Sequence, residues 1–95
     1  MNEDEIRLVI LRQAKVAESH CIPLFVSNGN ASFGNEHHPF EIPQGCTFKQ
    51  ICKSIRDLSE EGLLEYSEAG STQGDPNGIV IKRLTRQGRD FLDAM

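Results

Sequence analysis

The stretch from Thr47 to Gly62 leaves little freedom in what it can become. Thr47 stands three residues before Gln50, the spacing at which a hydroxyl and a carboxamide satisfy two of the backbone groups that a helix start leaves without partners. Behind it Phe48, Ile51, Cys52, Ile55 and Leu58 recur on one helical face. Gly62 follows as the residue type that enters the left-handed conformation at a helix end without steric cost. The spacing predicts a helix from Thr47 to Glu61. Burying its four large apolar side chains is worth roughly 6 to 12 kcal/mol before entropy, at about 1.5 to 3 each, which places it at the centre of the core. Cys52 then belongs to the core and not to chemistry.

The size of that core is set by length. Ninety-five residues with 38% hydrophobic and 25% charged content make one domain, residues 1–95. A chain of this size hides only roughly 60 to 70% of the surface that its unfolded form exposes, so a deep substrate cavity would compete with stability. Fourteen acidic against ten basic residues leave a net charge of −4. That balance excludes a general polyanion coat, and any nucleic-acid contact has to be local.

Toward the amino terminus, Asn2 and Glu5 form another capping box, and Ile6, Val9, Ile10, Ala14, Val16 and Ala17 fall within one stripe. A helix is expected from Glu3 to Ser19, with Leu8 and Leu11 off the stripe and in need of cover from the next segment or another copy of the chain. The acidic opening and the lack of an apolar run near the roughly 18 residues of a membrane span point to a cytoplasmic protein. An irregular segment occupies about residues 20–46, punctuated by Pro23, Asn28-Gly29, Gly34, Pro39 and Pro43. Within it, Ile22 to Ser27 and Ala31 to Phe33 suit a small hairpin around the Asn-Gly step. Beyond Gly62, Leu63 to Ala69 and Ile79 to Leu84 read as two strands joined by a long tip, Gly70 to Gly78. Thr85 then caps a last helix carrying Phe91, Leu92 and Met95.

This order of elements resembles a winged helix-turn-helix domain. The likeness is greatest at Gly62-Leu63-Leu64 and at Leu84-Thr85-Arg86-Gln87-Gly88-Arg89-Asp90-Phe91-Leu92-Asp93-Ala94. Regulators of the multiple-antibiotic-resistance type share a helix, Gly-Leu, wing, Leu-Thr-x-x-Gly layout. The ending also resembles short bacterial and phage-borne winged-helix-like proteins of no assigned function, which close on Leu-Thr-x-x-Gly-x-x-Phe-Leu-Asp-Ala. The resemblance implies an α+β fold with helices packed on a small antiparallel wing, and a non-enzymatic transcriptional regulator that binds double-stranded DNA; a homodimer is expected because one domain with few cations covers too few phosphates for tight binding. It departs between Cys21 and Gly45, where such a domain carries a second helix; a short helical turn near Pro43 to Cys46 is the expected substitute.

In such a domain the helix from Thr47 is the one placed in the major groove. Lys49, Lys53 and Arg56 recur at i, i+4 and i+7 on its exposed side, flanked by Gln50 and Ser54. Lys82 and Arg83 on the return strand complete the candidate DNA contacts. The charge is +3 from Phe48 to Arg56 and +4 from Lys82 to Arg89. The competing reading is a solvated face stitched by pairs one helical turn apart: Lys53 with Asp57, Arg56 with Glu60, Arg86 with Asp90 and Arg89 with Asp93. The wing tip carries Asp75 and no Lys or Arg, which does not suit a narrow minor groove. A protein-interaction module, such as a phage-encoded modulator of a host complex, is the second function class, favoured by the acidic balance and the uncharged wing.

Other chemistry finds no motif. His20, Cys21, His37, His38, Cys46 and Cys52 are ligand types for zinc, but no CxxC or HxxxH pair pre-positions two of them. Three irregularly spaced cysteines suit free thiols in a reducing compartment. Neither a phosphate-cradling loop with its Lys nor a nucleophile elbow occurs, so no catalytic residue, metal or cofactor is expected.

Overall fold

The computed structural model describes residues 2–27, 38–69 and 78–94. Its elements are α1 (Glu3–Ser19), β1 (Leu24–Ser27), β2 (His38–Pro39), α2 (Phe48–Glu60), β3 (Leu64–Ala69), β4 (Gly78–Leu84) and α3 (Arg86–Asp93). The fold is α+β. Among the described residues, three helices accompany one four-stranded sheet of order β2-β1-β4-β3.

The helix ends form where the sequence places them. The Asn2 side chain accepts from Glu5 N–H at the start of α1. At α2 the capping box closes in both directions, Gln50 N–H donating to Thr47 Oγ1 and Thr47 N–H to Gln50 Oε1. Leu63 N–H donates to Leu58 C=O and Gly62 N–H to Ser59 C=O, with Gly62 at φ +77°, so α2 stops in a Schellman motif. The same bonds end α1, from Ile22 to Ala17 and from Cys21 to Glu18. There the left-handed position, φ +59°, is held by Cys21, a side chain that pays a steric cost for it.

The apolar face of α1 is broader than its stripe. Ile6, Ile10, Ala14 and Ala17 are buried as expected, but so is Leu11, whereas Val16 is 47% exposed. The reason is that α1 is covered on more than one side, by α2, by β1 and β4, and by α3. These α1 side chains join Ile51, Ile55 and Leu58 of α2 and Leu24, Val26, Leu64, Ile79, Ile81 and Leu84 of the sheet in a single core.

β1 finds its partners far along the chain. It runs antiparallel to β4, Leu24 facing Ile81 and Ser27 facing Gly78, and parallel to β2, Leu24 facing His38. The proposed return strand from Ala31 to Phe33 lies outside the described residues, as do tip residues 70–77. Among the described residues between Ser19 and Phe48 no helix occurs. Where a helical turn was expected, Cys46 N–H bonds Pro43 C=O across a turn with Gly45 at its third position. The Gln13 carboxamide pins the preceding segment to α1, donating to Glu41 C=O and accepting from Glu41 N–H, each at 3.0 Å.

One junction ties the second half together. Thr85 N–H donates to Leu63 C=O at 3.0 Å, and Thr85 Oγ1 donates to Gly62 C=O while accepting from Gly88 N–H. Gly88 is the buried residue of α3, and a Cβ there would lie 2.0 Å from the Leu63 carbonyl oxygen. Gly88→Ala therefore destabilises the fold by about 3 kcal/mol, the upper range for overpacking, as read from a denaturation midpoint. Cys21→Gly acts in the opposite direction. It removes a left-handed cost of roughly 1 to 2 kcal/mol against roughly 0.4 to 1 kcal/mol of added unfolded-chain freedom, and raises stability by about 0.5 to 1 kcal/mol in the same measurement.

Candidate nucleic-acid interface

α2 presents Lys49, Gln50, Lys53 and Arg56 outward, while Ser54 is 6% exposed and does not belong to that face. Ser54 lies three residues after Ile51 and four before Leu58, both fully buried. Its flank of α2 meets α1, since Lys53 Nζ approaches Glu3 at 3.7 Å and Glu61 pairs with Arg7. A small side chain there lets the two helices cross closely. Gln50 is exposed, but its Oε1 is committed to the cap.

The remaining cations differ in how they are engaged. Lys49 makes no ion pair among the described residues. Arg56 bonds Glu68 of β3 at 3.1 Å, and that hydrogen bond holds the Arg56 pKa above its ordinary value. None of the four expected pairs one turn apart forms among the described residues; Lys53, Arg56 and Arg89 meet Glu3, Glu68 and Glu18, and Asp93 meets Lys15. A Lys or Arg preceding its acid at i+4 is the weaker orientation, so partners on neighbouring elements win.

Lys82 and Arg83 owe their position to a bulge. Glu65 faces Arg83 and Tyr66 faces Ile81, which leaves Lys82 as an extra residue on β4. Strict alternation would place Arg83 on the same side as Ile79 and Ile81. With the bulge both cations are exposed, and Leu84 returns to the core opposite Leu64. Arg83 pairs with Glu65, and their hydrogen bond raises the pKa of Arg83 and lowers that of Glu65. Because the folded-state pKa of Glu65 is the lower one, the pair contributes above the unfolded carboxylate range and is lost as pH falls through the folded value.

The two lysines of these groups, Lys53 and Lys82, lie apart, while Arg56 and Arg83 both reach carboxylates of β3, Glu68 and Glu65. Lys53 meets Glu3 at one end of α1, whereas Lys82 and Arg89 line a depression with Glu18, Cys21, Ile22 and Pro23 at the other. Glu3 and Glu18 stand about 22 Å apart along the helix at a rise of about 1.5 Å per residue.

Glu18 is the residue that sequence reading missed. Its carboxylate accepts from Leu84 N–H at 2.9 Å and from two nitrogens of Arg89 at 3.1 and 3.3 Å, joining α1, β4 and α3. The available signal was its place in the last turn of α1, where the helix dipole disfavours an acid.

Cys21 is exposed, Cys46 half-buried and Cys52 buried in the core. The rings of His20 and His38 approach to 5.8 Å, and His37 lies outside the described residues. Among the described residues no group of three His, Cys, Asp or Glu side chains is arranged to hold a metal ion, and no helix is long and apolar enough to cross a membrane. Comparison with protein-family models, with curated proteins and with solved structures finds no match for this chain.

Glu18→Ala leaves the Leu84 N–H without its acceptor and lowers stability by about 1 to 3 kcal/mol, whereas Glu18→Gln keeps an acceptor and falls less than half as far. Urea unfolding midpoints of the two variants check this.

Proposed function

We propose that this protein is a small winged-helix DNA-binding regulator of bacterial or phage origin, acting in the cytoplasm as a homodimer without catalysis or cofactor. α2 is the element that enters the major groove. The observation that carries this reading is the outward stripe of Lys49, Lys53 and Arg56 on a helix whose two ends are both fixed by capping bonds. The sequence of helix, strand, capped helix and paired strands β3 and β4 supports the winged-helix assignment, as does the Gly-Leu and Leu-Thr-x-x-Gly junction. The carboxylates on Lys53 and Arg56 are no obstacle. Exposed ion pairs of this kind are worth about 0 to 1 kcal/mol, and phosphate can take the place of Glu3 and Glu68.

Three α2 cations in each of two protomers give a salt dependence of log K on log[salt] of about −5, at roughly −0.9 per phosphate neutralised. Fluorescence anisotropy on a labelled duplex measures it. Lys49→Ala with Lys53→Ala leaves only Arg56 of this stripe in each protomer, lowers the slope to about −2 and keeps stability within about 0.5 kcal/mol of the unmutated protein, as for exposed positions generally. Glu68→Gln releases Arg56 and strengthens binding at low salt. Absence of duplex binding by the unmutated protein at low salt overturns the reading.

A second reading is a winged-helix module that docks a protein, such as a phage-encoded modulator of a host complex. What favours it is that Arg56, Arg83 and Arg89 each already meet a carboxylate in a chain of net charge −4. Its signature is a specific protein partner whose affinity is unchanged by excess competitor duplex.

A further inference from the structure

The geometry points to the α1–α3 face as the docking surface for a second copy of this chain, packed two-fold about Leu8. The inference rests on the homodimer of the reading above and not on its DNA contact. Val16 and Phe91 are 47% and 43% exposed, and both border this face. One depression on it is lined by Asp4, Arg7, Leu8 and Phe91, another by Arg12, Lys15, Val16, Ser19 and Leu92. α1 thus presents Asp4, Leu8, Arg12 and Val16 at four-residue spacing, beside Phe91 and Leu92 of α3.

The charges along that row identify the occupant. Arg7 is paired with Glu61 and Lys15 with Asp93, whereas Asp4 and Arg12 make no ion pair among the described residues. They stand four residues before and four residues after Leu8. A two-fold axis beside Leu8 sets Leu8 against the partner's Leu8, Asp4 against the partner's Arg12, and Arg12 against the partner's Asp4. An acid, an apolar residue and a base in this order complement their own reversed copy, as an isologous interface requires. The rows concerned are i±4 ridges, which interdigitate in the commonest class of helix packing. Phe91 then lies at the edge of the Leu8 contact and closes it from water. With the axis beside Leu8, α1 overlaps its copy from Glu3 to Gln13, about 16 Å for eleven residues.

Sedimentation equilibrium on the full chain, without DNA, tests this at micromolar concentrations. The unmutated protein is a dimer. Asp4→Arg and Arg12→Asp each weaken it by about tenfold or more, because each swap replaces two opposite-charge contacts by two like-charge ones. The double variant recovers most of the loss, and Phe91→Glu is a monomer. Asp4→Arg puts a cation in the first turn of α1, so circular dichroism is recorded for every variant, and Arg12→Asp carries the same test from the middle of the helix. A monomeric unmutated protein overturns the proposal, as does a double variant that associates no better than the weaker single swap. Since no duplex is present, either failure is separate from failure of the DNA-binding reading.

Discussion

Thr85 brings the ends of four elements together at one point. Its N–H and hydroxyl hold the carbonyls of Leu63 and Gly62, where α2 stops and β3 begins, and its hydroxyl receives Gly88 N–H, where β4 has ended and α3 starts. Gly88 lets α3 approach the Leu63 carbonyl more closely than any side chain permits. The Gly-Leu and Leu-Thr-x-x-Gly pattern is therefore an architectural device. It fixes the direction in which α2 meets β3, and with it the orientation of the outward face of α2.

Around that junction, charge is distributed by tertiary contact. Glu18 stands where its own helix disfavours it and is retained by the Leu84 amide and Arg89. Glu65 and Glu68, two residues of one strand, each hold an arginine from a different neighbour, Arg83 on β4 and Arg56 on α2. Every such pair is exposed enough for water and salt to screen it, so the pairs set where side chains lie more than how stable the fold is. A net charge of −4 consequently coexists with an outward basic stripe on α2.

Local signals were legible where a few consecutive residues decide the outcome. The bounds of α1, the capping box of Thr47 and Gln50, the left-handed Gly62 and the Thr85 cap all follow from interactions spanning four or five residues. The side of a helix that becomes buried was legible only in part. Leu11 lies off the periodic stripe and is buried because α1 is covered on more than one side, and Ser54 was missed because its small polar side chain suggested solvent although its position lies between Ile51 and Leu58.

By itself, the sequence determined the helices and their caps, with a capped helix at the centre, since periodicity and caps act within single segments. It also determined the residue types available to an interface. The tertiary structure alone decided that β1 joins β4 and β2, that a bulge turns Lys82 and Arg83 out together, and that Glu18 closes α1 onto β4 and α3. It likewise parted Lys53 from the cations near Glu18 along the length of α1. Such pairings join residues tens of positions apart, and they are settled by which faces the closed core brings together, a quantity no local window of the chain contains.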